Sequence, residues 1–376
     1  MIRLVSPHIP EEDRRAVDEV LASGWLVQGK HVARFEAAVA GFLGVEHAVA
    51  VSSGTAALHA ALRAHGVGPG DAVAVPAYSH VASANVIELC GAEPIFIDID
   101  PHTFNMDPGE LERIVDGADI PIKAVLVVHA FGQMADIDAI GAIADSVGAP
   151  LVEDAACALG ASRAGKQPGE ATSAACFSFH PRKAITTGEG GMVATNDDAI
   201  ARAVRTFRNH GQDPGSAPPD FVAPGLNYRM TEFQAVLGAA ALPRLKGAIE
   251  SRREIAARYD ALLADCVAVP LVSRDSEPVF QSYVVLLPAE VAVAREELIA
   301  DLAAAGIETT IGTWSIPTTT YYRERYGYVA GSYPVTSDVF ERSLAIPMHE
   351  NLGQEDQSRV ANALRAAVSR LLEAAK

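Results

Sequence analysis

The chain has 376 residues, 49% of them apolar and 20% charged, enough for one large globular domain and a smaller one. With 30 basic against 47 acidic residues the net charge is −17, which excludes a nucleic-acid partner that would need a basic face but not a small anion held by backbone N–H groups. The opening MIRLVSPHIPEEDRR has no signal-peptide core, no run reaches a membrane span, and Cys90, Cys157, Cys176 and Cys266 form no CxxC pair, so the expectation is a cytoplasmic enzyme with no metal site.

In chain order, residues 10–23 read as an amphipathic helix. HAVAVSSGTAALHAALRAHG then reads strand (47–51), turn (Ser52 to Thr55) and a helix that stops at Gly66. DAVAVPAY is a second strand, cut by Pro76; EPIFIDID is a third and KAVLVVHAFG a fourth. After the helical MADIDAIGAIADSVG, APLVEDAACALGA is a fifth strand running into a turn, and AACFSFH and GGMVATND are two more. Short apolar strands alternating with helices predict a largely parallel sheet covered on both faces. From residue 230 the pattern changes to a long helical stretch bent at Pro243. It is followed by a strand SYVVLLP, a helix AREELIADLAAAG, an irregular Tyr- and Pro-rich segment (313–336) and a last amphipathic helix (354–374). The division expected is a large domain over 1–245 and a small C-terminal α+β domain over 246–376, with no internal repeat.

Ligands of such sheets bind beyond the carboxyl ends of the strands, and Thr55, Tyr78, His80, Asp154 and Lys183 all lie just after strands. Lys183 stands between an apolar run ending at Phe179 and the glycines of Gly188-Glu189-Gly190-Gly191. A lone lysine is ordinarily a solvated surface group, but a desolvated one becomes a nucleophile toward carbonyls. Asp154 ends a buried strand. Its bland role is a helix N-cap for AACALGA; its chemical role is a carboxylate facing a cationic ring nitrogen. At about 4 Å and an effective dielectric of ~20 that contact is worth on the order of 4 kcal/mol. A Schiff-base lysine with such an aspartate is the signature of pyridoxal 5′-phosphate (PLP) binding. SSGTAAL supplies the phosphate cradle, with hydroxyls on Ser52, Ser53 and Thr55, an open backbone at Gly54, and a helix N-terminus beyond.

SGTAAL, VPAYSHVASANVI, EDAACALGA, FSFHPRKAITTGEGGMVATND, RNHGQ, GLNYRMTEFQA and YYRERYGY resemble, in order and over nearly the whole chain, the DegT-like sugar aminotransferases of PLP fold type I. The resemblance implies an α/β large domain with a mainly parallel seven-stranded sheet between helices, a small C-terminal domain, and a homodimer with shared sites. It implies that Lys183 is the Schiff-base lysine and Asp154 the partner of the ring nitrogen. Gly54, Thr55 and Ala56 match the phosphate loop, and Ser178 a phosphate-binding hydroxyl. His80 falls where an aromatic ring stacks on the cofactor. Asn227 and Arg229 match a GxNxR loop that reaches the neighbouring subunit's site. Tyr78, Glu189, Arg229 and Trp314 are candidates for substrate binding. Cys157 departs from the pattern, standing where many relatives have glutamine beside the cofactor's phenolic oxygen. So does GTWSIPTTTYY, in the region that lines the sugar pocket.

The resemblance implies an aminotransferase that takes an amino group from an amino acid, glutamate, and delivers it to a keto group on a nucleotide-linked deoxysugar, the cofactor alternating with pyridoxamine 5′-phosphate. The alternatives are a non-nucleotide keto-sugar or cyclitol as acceptor, or a sugar dehydratase of the same family. Such dehydratases usually carry histidine at the position of Lys183. A PLP-holding regulator would add a DNA-binding domain, for which there is neither room nor basic charge. A dinucleotide-binding enzyme would need GxGxxG, which SSGTAAL lacks.

Overall fold

The computed structural model describes residues 1–117, 120–329 and 331–374. Seven strands form one sheet. Across it they lie in the order His47–Val51, Gly191–Thr195, Ala174–Ser178, Leu151–Asp154, Ile122–Val128, Ala72–Pro76 and Glu93–Ile97. All pairings are parallel except those of Gly191–Thr195, which runs antiparallel to both its neighbours. Strand side chains alternate between faces. Ala72 and Ala74 therefore enter one core layer with Val32, Phe35 and Leu43, while Val73 and Val75 enter the opposite layer with Leu58, Leu62 and Val86. Burial on both faces explains why these strands read as continuous apolar runs.

A second core, away from the sheet, is built by strands Tyr283–Leu286 and Ser343–Ile346, paired antiparallel, and helices Arg295–Ala304 and Gln354–Ala374. Helix Leu245–Leu263 passes through both: Leu245 and Ile249 lie in the main core, Ile255, Tyr259 and Leu263 in the second. The bend expected at Pro243 is a 3-10 turn, Leu242–Arg244, between Glu232–Ala241 and that helix. The chain's first residues also join the second core, with Ile2 bridging to Ile307.

Two expectations change. The segment 313–336 is not irregular. It contains helix Thr320–Tyr326 and the start of helix Pro334–Arg342, and Ala330 lies outside the described residues. Tyr322 and Tyr328 pack edge-on against Phe96 at 5.4 and 5.6 Å, so contact with the main sheet organises it. The strand after Ala72 ends at Pro76, and Tyr78–Ser79 form a separate short strand paired with Trp314–Ser315. Among the described residues no helix is long and apolar enough to cross a membrane.

Candidate active site

A cleft of about 660 Å³ opens at the carboxyl ends of the parallel strands, between the two cores. Its floor follows from register. Gly191 lies directly between Val51 and Ser178, which brings the turn after the first strand against the end of Ala174–Ser178. A Cβ on Gly191 would fall 2.2 Å from the Ser53 carbonyl oxygen, and one on Gly54 2.8 Å from Ser178 Cβ. Only glycine permits either approach.

Ser53 caps helix Gly54–Ala64, accepting the Ala56 N–H at 3.1 Å. The Gly54 and Thr55 amides, first in the helix, have no intrahelical acceptor; both residues line the cleft, with Ser178 beside them. Ala56 is buried, 2% exposed, behind them. Hydroxyls beside a helix N-terminus are a combination suited to an anion.

Across the cleft is Asp154, 6% exposed. Its Oδ2 accepts the Ser83 hydroxyl at 2.7 Å and its Oδ1 the Ala156 N–H at 3.2 Å. No helix follows it; residues after 154 are turns, so the helix-cap alternative has no helix to cap. Ser83 escaped the sequence reading. Its signal was the four-residue spacing from Ser79, whose hydroxyl lies 3.1 Å from its own, at the start of helix Ala82–Leu89.

Lys183 Nζ lies 3.0 Å from Cys157 Sγ, and both line the cleft with His80 and Glu189. Nδ1 of His80 accepts the Ala82 N–H at 3.2 Å. Partial desolvation holds its pKa below the ordinary imidazole value, the field of Asp154 opposing, so the ring on this wall is neutral. His180, 4.0 Å from Glu189, is likewise lowered, chiefly by desolvation. The cradle, Asp154 opposite it and the lysine between suit a planar pyridine that carries a phosphate. Among the described residues no group of His, Cys, Asp and Glu is arranged to hold a metal ion.

Other candidates lie elsewhere. Tyr78 is 1% exposed; its oxygen accepts the Thr313 N–H at 3.2 Å and burial lifts its pKa to about 12. Trp314 is half-exposed beside Phe340. Asn227 and Arg229 stand in a loop outside this cleft, bridged and hydrogen-bonded to Asn209, the latter at 2.6 Å. Conversely, Leu4, Val5, Phe131, Arg182, Gln281, Thr310 and Met348 line the cleft with no sequence signal; chain segments far apart in sequence bring them in.

The profile of the DegT/DnrJ/EryC1/StrS aminotransferase family matches residues 7–365. GDP-perosamine synthase of Caulobacter vibrioides is 40% identical over 312 residues, 82% of this chain and 83% of that protein. The spore coat polysaccharide biosynthesis protein SpsC of Bacillus subtilis is 36% identical over 96% of each chain. Among solved structures, the aminotransferase TlmJ from Streptoalloteichus hindustanus superposes with a TM-score of 0.90 at 32% identity, covering 99% of this chain and 100% of that one. S. venezuelae DesV, solved with a ketimine intermediate, gives 0.89 at 31% identity over 97% and 100%. The chain belongs to the DegT/DnrJ/EryC1/StrS aminotransferase family and is a PLP-dependent aminotransferase.

Proposed function

We propose that the enzyme transfers the amino group of glutamate to a keto group on a nucleotide-linked deoxysugar. The observation that carries it is the convergence of Lys183, Asp154 and the Gly54–Thr55 helix N-terminus on one cleft. The acceptor class is supported by the names of relatives such as GDP-perosamine synthase. Bound PLP supplies an electron sink for bond cleavage at the donor's α-carbon. Lys183 would tether the cofactor, and its free amine would carry a proton from the donor's α-carbon to the cofactor's C4′ in the first half-reaction and from C4′ to the acceptor carbon in the second. Asp154, held by Ser83 and Ala156, would face the ring nitrogen. The amides of Gly54 and Thr55 and the Ser178 hydroxyl would hold the phosphate, with Ala56 backing the turn. His80 would stack on the cofactor ring, and Cys157, beside Lys183, would lie near its phenolic oxygen. Glu189 meets substrate from the cleft rim; Tyr78 acts only from behind, holding the N–H of Thr313, which lines the cleft, and Trp314 is next in the chain to Thr313 but outside the lining.

The proposed assembly is a homodimer in which Asn227 and Arg229 serve the partner's cleft. Two apolar surface segments support it: Trp25 and Val27 are 62% and 59% exposed, Phe221 and Val222 62% and 61%. A cytoplasmic location is proposed on the four unpaired cysteines.

The test uses the enzyme in its pyridoxamine 5′-phosphate form, incubated with a panel of nucleotide keto-sugars. One of them should restore the yellow absorbance of the PLP form. Restoration only by keto-sugars without a nucleotide, or by a keto-cyclitol, would refute the acceptor class.

A further inference from the structure

Arg182 precedes the active lysine, lines the cleft and is exposed. Its backbone is pinned at both ends. The N–H donates to His180 Nδ1 at 3.2 Å, and the carbonyl accepts from the side chain of Gln281, itself 4% exposed. The segment carrying Gln281 is braced in turn, because buried Arg252 donates to the Phe280 and Gln281 carbonyls at 3.2 and 3.3 Å and pairs with Glu350. The backbone is therefore held by hydrogen bonds on both sides, yet among the described residues the guanidinium has neither an ion-pair nor a hydrogen-bond partner. Neither acid of the cleft pairs with it: Asp154 accepts from Ser83 and Ala156, and Glu189 lies 4.0 Å from His180. Desolvation chiefly lowers the pKa of His80 and His180, with Arg182 a minor contributor to both. With both imidazoles neutral and Lys183 committed to the cofactor, it is the standing cation of this wall.

A chain of net charge −17 repels anionic substrates, and a positioned guanidinium, which grips an oxyanion with two parallel hydrogen bonds, offsets that locally. We infer that Arg182 is the anchor for a substrate oxyanion, the carboxylate of the amino donor or the diphosphate of the acceptor. This rests on the function proposed above.

The test compares wild type, Arg182→Gln and Arg182→Lys as holoenzymes. One arm follows loss of the yellow absorbance against L-glutamate concentration; the other measures GDP and UDP binding to the pyridoxamine form by calorimetry. Cofactor retention on dialysis is the control. The glutamine variant should weaken one arm on the order of ten- to a hundredfold, the lysine variant less, with cofactor retention unchanged. A weakened glutamate arm assigns the carboxylate; a weakened nucleotide arm assigns the diphosphate. Unchanged affinity in both arms overturns the anchor. So does selective loss of cofactor, which would place Arg182 on the cofactor's phosphate. Wild type that responds to neither glutamate nor nucleotide overturns the donor and acceptor proposal itself, and the anchor with it.

Discussion

Lys183 and Asp154 carry opposite charges into one cleft, and each has a distinct expected loss. Lys183→Ala protein should lose the yellow absorbance on dialysis and lose turnover; a variant that stays yellow and active would exclude it as the tether. Asp154→Asn removes a charge worth ~4 kcal/mol at about 4 Å, so transamination should fall about a thousandfold while the fold survives. Asn caps turns about as well as Asp, so near-normal activity would reduce Asp154 to a turn residue. Ser83→Ala removes one hydrogen bond to that carboxylate, worth ~1.5–3 kcal/mol. A smaller drop in the same direction, seen in single-turnover rates with glutamate, should follow.

At the scale of elements, the site depends on close backbone approach. Gly191→Ala would push a methyl into the Ser53 carbonyl and the Gly54 amide, at 2.2 and 2.8 Å, both backbone atoms that cannot swing aside. The strand pairing and the cradle should loosen together, at about 1–3 kcal/mol, with a lower urea midpoint and weaker PLP retention. Loss of stability with normal retention would separate the two. A different device holds helix Lys30–Leu43. Its first amides, on Gly29, His31 and Val32, all donate to the buried Glu232 carboxylate, which opens helix Glu232–Ala241. One carboxylate thus caps a helix 200 residues earlier, a contact that no local capping pattern announces.

For the whole molecule, the dimer is tested by complementation. Lys183→Ala and Asn227→Ala proteins, each nearly inactive, are mixed under subunit exchange. In a twofold dimer one site collects both lesions and the other none, so activity should return toward one intact site per heterodimer. Heterodimers without activity would mean that Asn227 serves its own chain. Stability should also depend on pH. His59, His65, His80, His180 and His349 are all lowered from 6.5, each chiefly by desolvation. Near pH 6.5 the unfolded chain therefore binds more protons than the native one, so this contribution is complete above 6.5 and lost as pH falls through the lower native values. The thermal midpoint should drop as pH falls below about 6.5, and less steeply in His65→Asn protein, whose wild-type ring buries an Nε2 with no hydrogen-bond partner among the described residues. A flat profile, or one unchanged by the substitution, would refute it.

The sequence by itself determined the parallel sheet, because apolar runs of strand length alternating with helices have few other ways to be buried. It also located Gly54, Thr55, Asp154, Ser178 and Lys183, since each follows or ends a strand and such residues gather at one edge of a parallel sheet. Tertiary structure alone decided what surrounds them. It buried Tyr78 against Thr313 rather than opening it to the cleft, folded helices from the Tyr-rich segment against Phe96, and tied Asp154 to Ser83, 71 residues away. It brought Leu4, Gln281 and Met348 to the cleft and left Arg182 pinned by its backbone, its guanidinium without a partner among the described residues. Hydrophobic period and turn chemistry act over a few residues and can be read locally. Contacts between segments tens to hundreds of residues apart depend on how two cores pack, and spacing along the chain carries no record of that.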